Sequence, residues 1–150
     1  FEPESSPVSV WGVVNAPQDP PVVGNVSHAQ LALDAAISLQ QAIAGVLPDP
    51  APAGLEPLAL GIGVETGPAM SGSFGLASRR THMVMGRTVT IASRLVSMTA
   101  DLAHPILVGE GLAAQVGGIG LKSMGVFLLD GLRVPHHVYA PPLLASTTIR

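Results

Sequence analysis

The 150-residue sequence has no cysteine, which removes thiol nucleophiles, zinc knuckles, iron–sulfur ligation and a disulfide scaffold. At this length one domain can bury roughly 70% of its unfolded surface, so a core needs no such staple. Aromatic residues make up only 3% of the chain and the net charge is −3, which excludes a base-stacking platform and a general polyanion binder. No nucleic acid is expected as a partner. Long hydrophobic runs are missing too: the best stretch, 31–47, is interrupted by Asp34, Gln40 and Gln41, short of the roughly 20 apolar residues a membrane span needs. Charge is scarce at 11% against 47% apolar residues, where about 25% charged is usual. So apolar a surface is expected to meet a partner.

What charge there is divides unevenly. Residues 1–78 hold Glu2, Glu4, Asp19, Asp34, Asp49, Glu56 and Glu65 but no Lys or Arg, and all seven basic residues follow. Arg79, Arg80, Arg87 and Arg94 lie close in sequence, and their combined field is the place to expect an anionic ligand. The chain begins at Phe1 with no signal-peptide pattern, and reads as a piece of something longer.

Hydrophobic periodicity and turn residues give the expected elements. Residues 8–14 read as a strand and the proline-rich 16–25 as a loop. Ser27 caps a helix over 27–47 with Ala32, Ala35, Ala36, Leu39, Ala42, Ile43 and Val46 on its apolar face. A Pro/Ala linker covers 49–57. Leu58, Leu60, Ile62 and Val64 share one face of a strand over 58–65, whose other face, Ala59, Gly61 and Gly63, leaves room for a backbone, helix or ligand to lie close. Residues 69–74 return as its hairpin partner, with a further strand at 81–85. A helix over 88–100 turns Ile91, Ala92, Leu95 and Met98 inward and the stripe Arg87, Thr90 and Arg94 outward. A strand at 105–108, a helix at 110–116 and strands 121–129 and 132–139 around Asp130-Gly131 complete the chain. This order is α+β with an antiparallel or mixed sheet.

Several familiar chemistries are excluded. Gly61-Ile62-Gly63 lies within a strand that leads to a hairpin, not to a helix N-terminus, so it is no dinucleotide loop. Leu121 separates Gly120 from Lys122, which rules out a phosphate loop, and Ser71 lacks the first glycine of a nucleophile elbow. His136 and His137 are adjacent in a strand, point to opposite faces and cannot ligate one metal together. No metal ligands are expected in this chain.

From Leu60 onward the order of motifs is specific: Leu-Gly-Ile-Gly-Val-Glu-Thr-Gly, then Met-Ser-Gly-Ser-Phe-Gly, then Met-Val-Met-Gly-Arg-Thr-Val-Thr-Ile-Ala-Ser-Arg-Leu. The run resembles the class III adenylate/guanylate cyclase catalytic domain, whose pattern is IGINTG, VVGNIGS and YTVIGDTVNxAxRL. Val10-Trp11-Gly12 is similar to that family's A-V-F-G strand, and the resemblance covers roughly residues 8–140. It implies a ferredoxin-like α+β core with helices packed on one face and the first elements lying before Phe1. The domain is expected over 1–140, with a tail at 141–150. Segments around Leu60, Thr81 and Val134 are expected in one sheet, with helices 27–47 and 88–100 on the same face; helices on opposite faces would remove the family assignment.

The resemblance also implies residue roles. Family enzymes join the ribose 3′-oxygen to the α-phosphate using two metal ions held by two aspartates. One aspartate would precede Phe1, the second falls at Ser5, and the first base-reading position falls at Phe1. The other base-reading position falls at Met83, the aspartate of GDTVN at Arg87, the ribose-orienting asparagine at Thr90 and a phosphate-contacting lysine at Asp130. Arg94 alone keeps its family identity. Arg94 and Thr90 are therefore the expected catalytic positions, and Met83 and Arg87 the expected substrate-binding ones. Magnesium or manganese would bind only if upstream sequence or a partner chain supplied the aspartates. The expected function is a catalytically degenerate dimerisation or signal-relay module. It would form a homodimer or heterodimer with another cyclase-type domain, bind ATP or GTP weakly, and sit in the cytoplasm, alone or as the intracellular part of a membrane-anchored receptor. One alternative is an active cyclase completed by upstream sequence or a partner; the second is an unrelated ferredoxin-like ligand- or protein-binding module.

Overall fold

The computed structural model describes residues 28–46, 60–117 and 120–142. The expected strand at 8–14, the loop at 16–25, the Ser27 cap, the linker at 49–57, Phe1, Ser5 and the tail beyond 142 lie outside the described residues.

The side-chain-free face of the first described strand organises the fold. In β1 (Ile62–Val64), Ile62 and Val64 pack against the core beneath α1 (His28–Ala44). The opposite face of β1 presses on α2 (Arg87–Met98). A Cβ at Gly63 would collide with the Ala92 carbonyl oxygen and come within 2.8 Å of the Val96 nitrogen. The close approach foreseen for the glycine face is thus made by a helix.

The same alternation runs through β4 (Ile106–Gly109), buried at every residue. Ile106 and Val108 join α1 and α3 (Glu110–Gln115) in one cluster, while Leu107 joins Ile91 and Leu95 of α2 in another. Successive strand residues point to opposite faces, so α2 covers one face of the sheet and α1 with α3 the other. The expectation that both helices share one face is corrected. The reason is local: β1 lacks side chains on one side and is apolar on the other, and each side takes its own helix.

The α+β class is observed as a four-stranded mixed sheet in the order β1-β4-β6-β5, with β5 at Lys122–Phe127 and β6 at His136–Ala140. β1 and β4 are parallel, with Ile62 opposite Ile106, and β6 runs antiparallel to both β4 and β5. Residues 69–74 do not return along β1. Instead, β2 (Met70–Leu76) and β3 (Arg79–Met85) form a separate two-stranded ribbon. The segments around Leu60, Thr81 and Val134 therefore do not share one sheet. Thr88 holds the departing chain by donating its hydroxyl to the Pro68 carbonyl at 2.8 Å.

Two further expectations shift. The buried stripe of α1 is Ala29, Leu33 and Ala36, whereas Ala35 and Leu39 are exposed. An alanine-rich helix reads as apolar on several faces. Its rotation is pinned by His28 Nε2, 2.8 Å from the Thr66 hydroxyl, and by Gln40, which donates to the Leu60 carbonyl at 2.9 Å. Asp130-Gly131 does not form a two-residue hairpin; the ladder closes at Phe127 opposite His136. Leu129 leaves the sheet to be buried beside Leu107 and Val138, and Pro135 has no amide for a ladder bond.

The α2–β1 contact leaves no space for a methyl group. Gly63→Ala should lower unfolding free energy by about 1–3 kcal/mol, whereas Gly61→Ala, which meets only the Thr99 side chain, should cost less. Urea unfolding of the two variants checks the order, and equal losses would contradict the contact.

Candidate functional site

Where β1 ends, α2 and α3 begin and β6 enters the sheet, the chain leaves a cleft of about 380 Å³. Glu65, Thr66, Arg87, Glu110, Gly111 and His136 are among its lining residues. Each is placed by an element end. Glu65 follows β1 directly. Arg87 opens α2 after Gly86, whose φ of 142° lets the chain reverse out of β3. Glu110 opens α3, and His136 opens β6.

Arg87 Nη2 donates to His136 Nε2 at 3.2 Å, and His136 Nδ1 lies 3.2 Å from Glu110 Oε1. The second contact is an ion-pair distance without the alignment of a hydrogen bond, and Nδ1 has no hydrogen-bond partner. His136 is only 4% exposed. His137 points the other way, stacks on Tyr139 with ring centroids 4.4 Å apart, and bonds to the Ser123 hydroxyl. The expected division of the two histidines between faces is observed.

Glu65 serves the scaffold. Its Oε1 accepts from the amides of Thr66 and Leu112, each at 2.9 Å, tying the end of β1 to the first turn of α3. Gly109 and Gly111 make room for it, since a Cβ at either would run into the Glu65 carboxyl. Burial pushes the Glu65 carboxyl above the ordinary carboxylate range; the amides of Thr66, Leu112 and Gly111 pull it back, and the nearby Glu110 charge adds to the rise.

Only one of the four expected site residues, Arg87, reaches the cleft. Thr90 lies on the exposed side of α2 and turns its hydroxyl to the Gly86 carbonyl at 3.3 Å. Arg94 is also exposed, and its Nε donates to the Asp130 carbonyl at 3.0 Å. Arg94 therefore does meet Asp130, through the backbone and not through the carboxylate. Met83 is on the β2–β3 ribbon, opposite Gly72. The four clustered arginines do not converge: Arg79 and Met85 are at opposite ends of β3, roughly 20 Å apart at strand rise. Sequence reasoning missed Glu65, Glu110 and His136, and the signal for them was weak. Glu110-Gly111 after an apolar strand marks a helix start, but only the strand order brings His136 beside it.

The donor set here does not fit two divalent metals. Among the described residues no three acidic or histidine side chains are disposed to hold a cation. In the cleft, Glu65 is committed to backbone amides and Glu110 has the Arg87 guanidinium in the same cavity. No step is derived through a metal. Among the described residues no helix is long and apolar enough to cross a membrane.

Comparison with known proteins adds the following. The model of the adenylate and guanylate cyclase catalytic domain matches residues 13–110. Adenylate cyclase 1 of Rhizobium meliloti strain 1021 is 31% identical over 107 residues, which are 71% of this chain and 15% of that protein. Among solved structures, a bacterial light-regulated adenylyl cyclase aligns with 54% of this chain and 23% of its own at 22% identity and a TM-score of 0.48. The adenylyl cyclase CyaB from P. aeruginosa aligns with 73% of this chain and 52% of its own at 24% identity and a TM-score of 0.49.

Because the Glu65 carboxyl is raised in the folded state, the fold prefers it protonated. Its ionisation removes stability as pH rises from the ordinary carboxylate range through the raised one. Glu65→Gln should flatten that fall, and Glu65→Ala should cost about 1–3 kcal/mol by leaving the Leu112 amide unpaired. Urea unfolding across this pH window checks both, and an unchanged slope in Glu65→Gln would contradict the assignment.

Proposed function

The chain belongs to the class III adenylate and guanylate cyclase catalytic domain family, and from that membership we propose that it serves cyclic-nucleotide signalling as a catalytically silent module that relays a signal by pairing with a second cyclase-type domain. Membership rests on the match over 13–110, which the opposite-face placement of α1 and α2 does not touch. The match takes in 15% of the curated relative's length, so the reading concerns this domain and not a whole protein.

The observation that carries the proposal is the face of the β2–β3 ribbon. Cross-strand partners share a face, and the register sets Met70 opposite Met85, Gly72 opposite Met83, Phe74 opposite Thr81 and Leu76 opposite Arg79. One face is therefore a stripe of Met70, Phe74, Leu76, Met83 and Met85, all exposed, with Leu76 at 80% and Met70 at 67%. Met83 occupies the base-reading position of the resemblance. A thioether offers no useful donor or acceptor to a purine edge, but it suits an adaptable apolar contact. The position has exchanged recognition chemistry for surface of the kind a partner covers. Family domains pair head to tail, so a second copy or a related domain is the occupant this reading assigns. A cytoplasmic setting follows from the signalling role.

Silence follows from the substitutions at Arg87, Thr90 and Met83. Arg94 still presents a guanidinium that can attract a triphosphate, so weak binding of ATP or GTP without turnover is the expected phenotype. The chain, assayed with ATP or GTP and magnesium or manganese, should form no cyclic nucleotide. Turnover abolished by Arg94→Ala would overturn the reading in favour of an active enzyme. For the pairing, sedimentation at tens of micromolar should show a dimer, which Leu76→Asp should weaken at least about tenfold by placing a charge in an apolar contact. A strict monomer at high micromolar concentration would contradict it.

A further inference from the structure

The β2–β3 ribbon is rooted on the first turn of α2. It shares no ladder with the four-stranded sheet. β3 ends at Met85, one residue before Gly86, whose carbonyl receives the Thr90 amide at 3.1 Å. The other leg is held two residues before Met70, where the Pro68 carbonyl accepts from the Thr88 hydroxyl. Gly86, at a φ of 142°, is a joint that glycine alone adopts without strain. The polar link from this turn to the sheet is Arg87, whose Nη2 donates to His136 Nε2 of β6 at 3.2 Å.

That link holds only while His136 is neutral. Arginine has donors only, so Nε2 carries the lone pair and the single ring proton sits on Nδ1. On the opposite side of the ring, the buried Nδ1 has no hydrogen-bond partner, and Glu110 Oε1 lies 3.2 Å away. A second proton would enter at Nε2, removing the acceptor and setting two cations against each other. On the far side, the same proton turns the Glu110 approach into a contact of opposite charges. Glu110 is kept there by its Oε2, which accepts from the His137 amide at 3.3 Å. The other charged groups nearby are engaged elsewhere. Glu65 lines the cleft but directs Oε1 to the amides of Thr66 and Leu112, and Arg94 of α2 turns to the Asp130 carbonyl. The His137 ring bonds to the Ser123 hydroxyl. β4 brings no titratable side chain, and Lys122 of β5 sits opposite Ala140, at the far end of the ladder from His136.

From this arrangement we propose that His136 is a proton-operated latch at the root of the ribbon. Uncharged, it holds Arg87 and keeps the ribbon in place for pairing; charged, it turns to Glu110, releases Arg87 and frees the ribbon to swing about Gly86. The released state binds the extra proton, so falling pH favours it and pairing weakens on acidification. The effect on pairing rests on the reading given above, whereas the latch itself rests on the Arg87–His136–Glu110 geometry.

Two measurements on the full chain separate latch from pairing. The first follows the ribbon: nitroxides on Ser73→Cys and Lys122→Cys, both exposed positions, report the ribbon-to-sheet distance by pulsed electron paramagnetic resonance. Labelled protein is diluted into excess unlabelled chain so that only distances within one chain count. The distribution should be narrow near about pH 8 and broaden near about pH 5.5, the interval in which histidine takes its second proton. In His136→Gln, whose amide oxygen accepts from Arg87 but takes no proton, it should stay narrow throughout. Glu110→Gln removes the carboxylate that favours the charged ring and should move the broadening to lower pH. The second measurement is the dimer dissociation constant by sedimentation, which should rise roughly tenfold over that interval in wild type and stay level in His136→Gln. A distance distribution indifferent to pH overturns the latch, as does equal broadening in His136→Gln, which would place the response at another group such as His82 of the ribbon. Should His136→Gln fail to fold, an unshifted transition in Glu110→Gln overturns it equally. A ribbon that answers to His136 in a chain monomeric at every pH would end the pairing reading and support the latch, and a dimer that weakens with acid while the ribbon stays fixed would do the reverse.

Discussion

The structure depends on how closely α2 can lie against β1. With glycine at 61 and 63, the strand offers bare backbone on one side, and the helix settles so that the Ala92 carbonyl and Val96 amide occupy the space a Cβ would take. That contact sets the axis and rotation of α2. Its inward residues Ile91 and Leu95 then meet Leu107 and Val138, and its outward residues Thr90 and Arg94 are left in solvent. It also sets where the helix begins, which puts Arg87 beside His136 and lets Gly86 send β3 away from the sheet. Cleft, stripe and ribbon are three consequences of one packing constraint.

The chain's scarcity of charge acquires a location. The most exposed apolar side chains include Leu76 and Met70 of the ribbon, with Leu128, Val126 and Val134 near the end of the β5–β6 hairpin. Arg94 reaches across to that hairpin through the Asp130 carbonyl. The polar groups collect instead around the cleft, where Glu65, Glu110, Arg87 and His136 make bonds that tie β1, α2, α3 and β6 together. Exposed apolar surface and the polar cluster of the cleft thus occupy different parts of the described structure.

Local pattern made several features legible and long-range pairing hid others. The inward face of α2 could be read from Ile91, Leu95 and Met98, and the close approach at β1 from its two glycines, because helix period and missing side chains are local properties. The paired strands of the ribbon were read as separate arms of a larger sheet. Hydrophobic alternation does not say which strand will be a neighbour, and the parallel β1–β4 pair joins residues more than forty positions apart. The face of α1 was misread because alanine gives little contrast around a helix. At the site, Arg87 was named from its motif position, whereas Glu110 and His136 became partners only through the β4–β6 pairing that brings their element starts together.

The central claim is that the apolar face of the ribbon is a contact surface between cyclase-type domains. The absence of native cysteine allows a direct measurement: the rate at which a maleimide labels a single introduced thiol, followed as a function of protein concentration. Labelling of Met83→Cys, on the apolar face, should slow as concentration rises through the dimer range, while labelling of Ser73→Cys, on the opposite face of the same ribbon, should not. Equal rates for both positions at every concentration would contradict the account.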